Sequence, residues 1–432
     1  MIIIDSECCT PRFLWTCKVI FTHVLGADFQ IINSNGTLFS HISYGKVLNK
    51  AKIHIPKIEN ANILFGDILE DIEINIDNRG EFPIIFECFE YGAIDFDIFA
   101  AVFYLTSRYE EYISTNKDKF GRFSHEESLS FRYDFLEIPI VDIWIDSLWK
   151  KLLAEFPNLN KENKTFSIRS TIDIDLAFAY KNKSVSRQLK SIAKKILHFQ
   201  IKYLFENLLV IWGIKKDPYD VYDFLKLEHQ NRNIKPKFFI LSGYENNAID
   251  NQLNIDNKKV SALLQFLKDF ATIGIHPSSK TRNNPIVLQN EINRLSNILN
   301  IEISDSRQHY ILLDFPQTYQ SLSRAKICDD FSMGYASHIG FRAGISVPYP
   351  FFDLIENKES NLMIHPFCVM DGALKNYMNL SIEESLDRIN KMKNRLKQVN
   401  GCFSFVWHNS SFSSIGEWNG WERVYLALLS IT

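Results

Sequence analysis

The stretch Ser170-Thr171-Ile172-Asp173-Ile174-Asp175 sets two carboxylates two residues apart in an otherwise apolar, β-branched run. In a strand, residues i and i+2 share a face, so Asp173 and Asp175 point the same way. A charge is costly to bury alone, so such a pair at a strand's end calls for a metal ion, a shared proton, or both. Two acids solvated where a strand emerges are the plainer alternative. Other chemistry-bearing residues recur at the ends of apolar runs: His276, Arg307 with His309, Arg342, and His408 with Asn409. Two imidazoles and a carboxylate with an open coordination position make a hydrolytic divalent-metal site. A second Asp and a further His would then act as base and acid.

These side chains need a scaffold that gathers them. From Asp217 onward strands and helices alternate. Lys237–Ser242, Thr272–His276, Tyr310–Leu313 and Cys402–Trp407 read as strands, with shorter segments at Phe331–Tyr335 and Phe341–Ala343. Tyr219–Asn231, Lys258–Ala271, Pro285–Leu299 and Ile382–Val399 read as helices. This alternation predicts a parallel sheet or barrel. The polar residues fall at the C-terminal ends of the strands, where α/β barrels place their active sites.

Residues 1–165 read as a smaller mixed α/β domain, with a boundary near 165 after the polar run NLNKENKT. Expected strands are Met1–Ile4, Gln30–Ile32, Lys52–Ile55 and Ile84–Glu90; expected helices are Pro11–Leu25, Asp95–Tyr112 and Pro139–Leu153. Within FYLTSRYEEY the charges Arg108, Glu110 and Glu111 read as a solvated helix face, GRFSHEESL (Gly121–Leu129) as a loop, and His125 as a structural residue.

The ordered motifs resemble the polysaccharide deacetylases of the NodB-homology, carbohydrate esterase family 4 type, over roughly residues 168–425. That resemblance implies a distorted (β/α) barrel. It implies Asp173 as general base and Asp175 as metal ligand, KFFILSG as a core strand, and His276 in IGIHPSS as a ligand. It further implies Arg342 in GFRAG as the arginine orienting Asp173, and His408 in FVWHN as general acid. The N-terminal region resembles an uncharacterised domain attached to bacterial deacetylase-like proteins, which implies no chemistry. The chain departs from the pattern at Lys280, where the family carries a second His. His309 in SRQHY is the candidate third ligand, with His365 in IHPF a weaker one. The activity so implied is hydrolysis of N- or O-acetyl groups on a carbohydrate, whether sugar, oligosaccharide or lipid-linked glycan. The implied cofactor is a divalent metal, zinc first, with cobalt, nickel or manganese as alternatives. Trp407, Trp418 and Trp421 could stack on sugar rings or close the core.

Two other readings compete. Asp-x-Asp at a strand end is also the metal–diphosphate clamp of nucleotide-sugar glycosyltransferases, but no strand–Gly-rich loop–helix signature precedes Ser170. A carbohydrate-binding barrel without activity is the other, with the Lys280 ammonium filling the metal position.

Composition bounds these readings. The chain has 432 residues, 46% hydrophobic and 23% charged, so two globular domains are expected and wholesale disorder is not. A net charge of −3 gives no reason to expect nucleic acid as a partner. Seven cysteines without a CxxC pair suggest neither a zinc knuckle nor a disulfide framework. With no secretory signal pattern and no run long enough to span a bilayer, a cytoplasmic setting is expected. Residues 181–216 break the charge balance, with nine Lys or Arg against the single acid Glu206. With apolar residues at helical spacing (Ile192, Ile196, Phe199, Tyr203, Leu204), the stretch reads as a basic helical insertion. It is merely solvated, cradles a polyanion, or is in peripheral contact with the inner membrane face.

Overall fold

The computed structural model describes all residues except 8, 49, 59–61, 67, 73, 79, 89–91, 184, 200, 253, 414–416 and 432, and not the side chains of 185, 186, 190, 194 and 195. The N-terminal part opens on a four-stranded parallel sheet, in the order β2-β1-β3-β4, of β1 (Ile2–Ser6), β2 (Phe29–Ile32), β3 (Ser40–Tyr44) and β4 (Ala51–Ile55). A two-stranded ribbon follows, β5 (Ile76–Asp77) and β6 (Ile84–Ile85). The expected strand over Ile84–Glu90 is cut short among the described residues, because Phe86 turns left-handed at φ 59°, and its last two positions lie outside them. Helix α1 (Pro11–Cys17) widens into a π-helical stretch to Val24. Next come α2 (Ile98–Thr106), α3 (Tyr109–Ile113), α4 (Leu129–Arg132) and α5 (Ile140–Glu155).

The expected helix over Asp95–Tyr112 is split at Arg108, which adopts φ 59° and ψ 40°. The break overturns the reading of a solvated face. Arg108, Glu110 and Glu111 are all buried. Arg108 Nε donates to Glu111 at 2.7 Å and Nη2 to Glu110 at 2.8 Å. Charges leave solvent at this cost only when paired, and periodicity within one helix carries no sign of the partner.

The second part is a curled nine-stranded sheet, a half-barrel in the order β12-β13-β11-β10-β9-β8-β7-β15-β14. Its strands are β7 (Ser167–Ile174), β8 (Lys237–Leu241), β9 (Thr272–His276), β10 (Asp305–Ser306), β11 (Asp329–Met333), β12 (Tyr349–Asp353), β13 (Lys358–Pro366), β14 (Val369–Met370) and β15 (Cys402–His408). All neighbours are parallel except β12 with β13. The expected strand at Tyr310–Leu313 is absent, since Tyr310 and Ile311 are both left-handed, at φ 56° and 53°. The strand of that repeat is the shorter β10, so His309 follows a strand instead of preceding one.

The helices between the strands are α6 (Val185–Leu197), α7 (Ile201–Ile211), α8 (Tyr222–Asn231), α9 (Lys258–Lys268), α10 (Pro285–Leu299), α11 (Gln317–Arg324) and α12 (Ile382–Gln398), and α13 (Glu422–Leu429) follows the last strand. Their ends follow local chemistry. The Asn284 side chain accepts from Val287 N ahead of Pro285, and α10 stops where Asn300 turns left-handed. Ser381 and Glu384 form a reciprocal capping box at α12. One continuous hydrophobic core runs from Ile2 through the half-barrel to Leu429. Trp15 of α1, for example, donates its indole N–H to the Pro350 carbonyl of β12 at 3.1 Å. Among the described residues no helix is long and apolar enough to cross a membrane.

Candidate metal and catalytic site

Strand register does the gathering. Asp173 is the penultimate residue of β7, level with His408 at the end of β15 and with Phe239 on β8. His276 ends β9, level with Leu241 of β8. Asp175, Arg307, His309 and Asp371 lie within three residues of the ends of β7, β10 and β14. At this rim Asp173, Asp175, His276, His309, Asp371 and His408 together line a cleft of about 280 Å³, with Arg307 buried beneath it.

Asp175, His276 and His309 bring their ligand atoms within 4.8 Å of one another. His276 Nε2 lies 3.3 Å from Asp175 Oδ1, and His309 Nε2 lies 3.6 Å from Asp175 Oδ2. Both rings are held from behind. His276 Nδ1 donates to the Arg307 carbonyl at 2.5 Å, which can only accept. His309 Nδ1 donates to Asp250 Oδ1 at 2.8 Å. With Nδ1 so engaged, each ring turns its Nε2 into the site, the way ligating histidines are fixed by outer partners. Asp250 is itself held by Ser279, whose hydroxyl donates to it at 2.6 Å.

The electrostatics are those of an anionic cage. Burial works against charge on Asp175, yet His309, His276 and His408 hold its carboxyl well below the usual range. Burial likewise opposes the imidazolium of His309, but Asp175 and Asp250 raise it to about 9. A cation at this position would take over the role of those protons.

Asp173 is almost fully buried, and its Oδ1 has no hydrogen-bond donor among the described residues. Its cationic neighbour is Arg307, whose Nε stands 3.5 Å from Oδ1. Arg307 is fully buried between the rings of Phe239 and Phe367, with Nη2 donating to Thr171 Oγ1 at 2.6 Å. Arg342, expected beside Asp173, is elsewhere. Its Nε and Nη2 form a fork on Glu111 at 2.8 and 2.5 Å, and Nη1 donates to the Gly334 carbonyl. The reason is the buried acid on α3, which neither motif order nor strand ends reveal.

His408 stands on the opposite side of the cleft, with Nε2 3.9 Å from Asp175 Oδ2. Its Nδ1 donates to Asp371 Oδ1 at 2.8 Å, and its backbone N–H donates to Asp371 Oδ2 at the same distance. Burial opposes the charged ring, but Asp371 and then Asp175 lift it to about 10. Asp250 and Asp371 were missed in the sequence. The only hint for Asp371 is its place after the short apolar run before Gly372, and Asp250 sits in a long connection without periodicity.

The remaining candidates fall outside the cleft or at its edge. Lys280 pairs with Glu245 in an exposed loop. His365 donates to Asp329 at 2.5 Å and stacks on Phe331. Trp407 and Trp421 are buried in the core, whereas Trp418 lines the cleft. Asn409 is buried and donates to the Leu176 carbonyl, tying the end of β15 to the loop after β7. His125 is stacked on His338 and bonded to Ser337.

A family of unknown function, DUF7033, matches residues 2–157. No curated protein matches the sequence. Among solved structures, a protein assigned as a polysaccharide deacetylase from Mycobacterium smegmatis is 11% identical with a TM-score of 0.38, over 62% of this chain and 83% of its own. A 4-alpha-glucanotransferase from Thermococcus litoralis is 11% identical with a TM-score of 0.37, over 62% of this chain and 37% of its own. A polysaccharide deacetylase from Bacillus cereus is 9% identical with a TM-score of 0.28, over 62% of this chain and 86% of its own.

Proposed function

We propose that the protein is a divalent-metal-dependent hydrolase that removes N- or O-acetyl groups from a carbohydrate. The observation that carries this reading is the convergence of Asp175, His276 and His309, both rings fixed from behind, beside a buried Asp173 and facing His408. The donor set suits a cation: Asp175 Oδ1 is buried without a hydrogen-bond donor among the described residues, and two nitrogens with one carboxylate match catalytic zinc. Bound there, the metal would polarise the acyl carbonyl and lower the pKa of a water.

The chain's own residues would do the rest. Asp173 accepts the proton of the attacking water, with the Arg307 guanidinium beside it. His408, kept protonated by Asp371, delivers a proton to the departing nitrogen or oxygen. Trp418 and Tyr377 at the cleft's edge offer ring faces to a sugar. The Lys280 ammonium, which would fill the metal position in a metal-free binding barrel, is paired with Glu245 instead.

The test is metal analysis of the purified chain together with acetate release from N-acetylated oligosaccharides. One equivalent of metal is expected, with activity lost on chelation and lowered by about 10²-fold or more in Asp173→Asn. Activity indifferent to both would overturn the reading.

A further inference from the structure

Residues 181–216 leave the half-barrel shortly after β7, which carries Asp173 and leads into Asp175, and they return to the same point. The carboxylate of Asp217 closes the root, accepting from the backbone N–H groups of Ala179, Tyr180 and Lys181 at 2.8, 2.9 and 3.0 Å. Between these ends α6 and α7 form a hairpin, broken at Phe199 with φ 53°.

The inward side of α7 is Glu206, Asn207 and Val210, all buried. Its other side is unusual. Ile201, Phe205 and Trp212 recur at spacings of four and seven, one helical stripe, and each is more than 60% exposed. Leu189 and Ile196 repeat the pattern on α6, and Phe199 at the tip is 87% exposed. Scattered exposed apolar residues are ordinary, but a contiguous series of this size marks an interaction surface.

Charge decides what covers it. The stretch holds nine Lys or Arg, and its single acid, Glu206, is buried and paired with Lys215 at 2.6 Å. Protein interfaces are poor in lysine, and a second copy would bring the same cations against themselves. An anionic lipid surface satisfies both features, with rings entering the headgroup boundary and lysines on the phosphates. The helices have 13 and 11 residues, too short to cross a bilayer, so the hairpin would lie in the interface.

We propose that the α6–α7 hairpin docks the protein on an anionic phospholipid surface, on the same rim as the candidate site. The experiment is co-sedimentation of the full chain with vesicles, neutral phosphatidylcholine against vesicles in which roughly a third of the lipid is phosphatidylglycerol. Binding is expected only to the anionic vesicles, with a blue shift of Trp212 emission and about a tenfold or greater loss of affinity at high salt. The pair Phe199→Ser with Phe205→Ser, and separately Lys202→Glu, should each weaken binding about tenfold without changing the melting temperature, because these side chains are exposed. Absence of binding, equal binding to both vesicles, or a wild-type dimer that the Phe199/Phe205 pair dissociates would overturn the proposal.

Discussion

The guanidinium of Arg122 donates to the backbone carbonyl of Tyr310, the residue after His309, at 2.7 Å. The two belong to different parts of the chain, and the bond holds a turn that is costly to form. Tyr310 and Ile311 are both left-handed, and a β-branched residue there is strained. Asp118 occupies the rest of the Arg122 fork. Arg282 locks the same junction, donating to the Phe120 and Gly121 carbonyls at 2.9 Å while pairing with Asp314. Gly121 is required at φ 75°, and a Cβ there would meet the Arg282 fork at 3.0 Å. Arg122→Met should let the turn relax and lower metal affinity about tenfold. Titration of the metal-free protein, with Arg282→Gln as the companion variant, checks this; unchanged affinity in both would show that the turn holds itself.

Asp371 sets the proton affinity of His408, so its effect belongs in the pH profile. A ring held up to about 10 keeps its proton at neutral pH and loses it only as pH rises through that value. Asp371→Asn removes the largest favourable charge, and the alkaline limb of kcat should move toward lower pH by about one unit or more. A limb that stays in place would assign the acid role to another group.

Glu111 and Arg342 join α3 to the segment after β11, and both are buried. Glu111→Gln leaves the buried Arg342 without its counter-charge and Arg108 with Glu110 alone, and should cost about 3–5 kcal/mol in unfolding free energy. Burial opposes its charge, but the two arginines hold Glu111 down to about 2, below the usual 4.5. A depressed carboxyl stabilises the fold above its unfolded pKa and loses that contribution as pH falls from about 4.5 through 2. Urea titrations across this window should show a steeper acid loss in the wild type than in Glu111→Gln.

Lys280 is the negative control. Its ammonium is paired with Glu245 in an exposed loop, so Lys280→Ala should leave metal stoichiometry unchanged and activity within about twofold. Loss of metal in that variant would return Lys280 to the site.

Local patterns carried a large share of the fold. β9 and α10 lie where alternation, Pro285 and Asn300 put them, and the ends of α12 and β15 miss expectation by one residue. The failures cluster where a distant partner overrides a local preference. The helix through Arg108 is broken where buried charges are paired across the chain, and the strand at Tyr310 is a turn clamped by Arg122.

The sequence by itself determined the ordered series of strand-end residues Asp173, Asp175, His276 and His408, because a strand's period of two and its apolar run are written in consecutive residues. Which of these meet, and through whom, was decided only by the tertiary structure. The half-barrel supplies Asp250 and Asp371 behind the histidines and puts Arg307, not Arg342, beside Asp173. Those pairings join residues far apart in the chain. They depend on strand register and on where a buried charge finds its counter-charge, and neither leaves a spacing that can be read in one dimension.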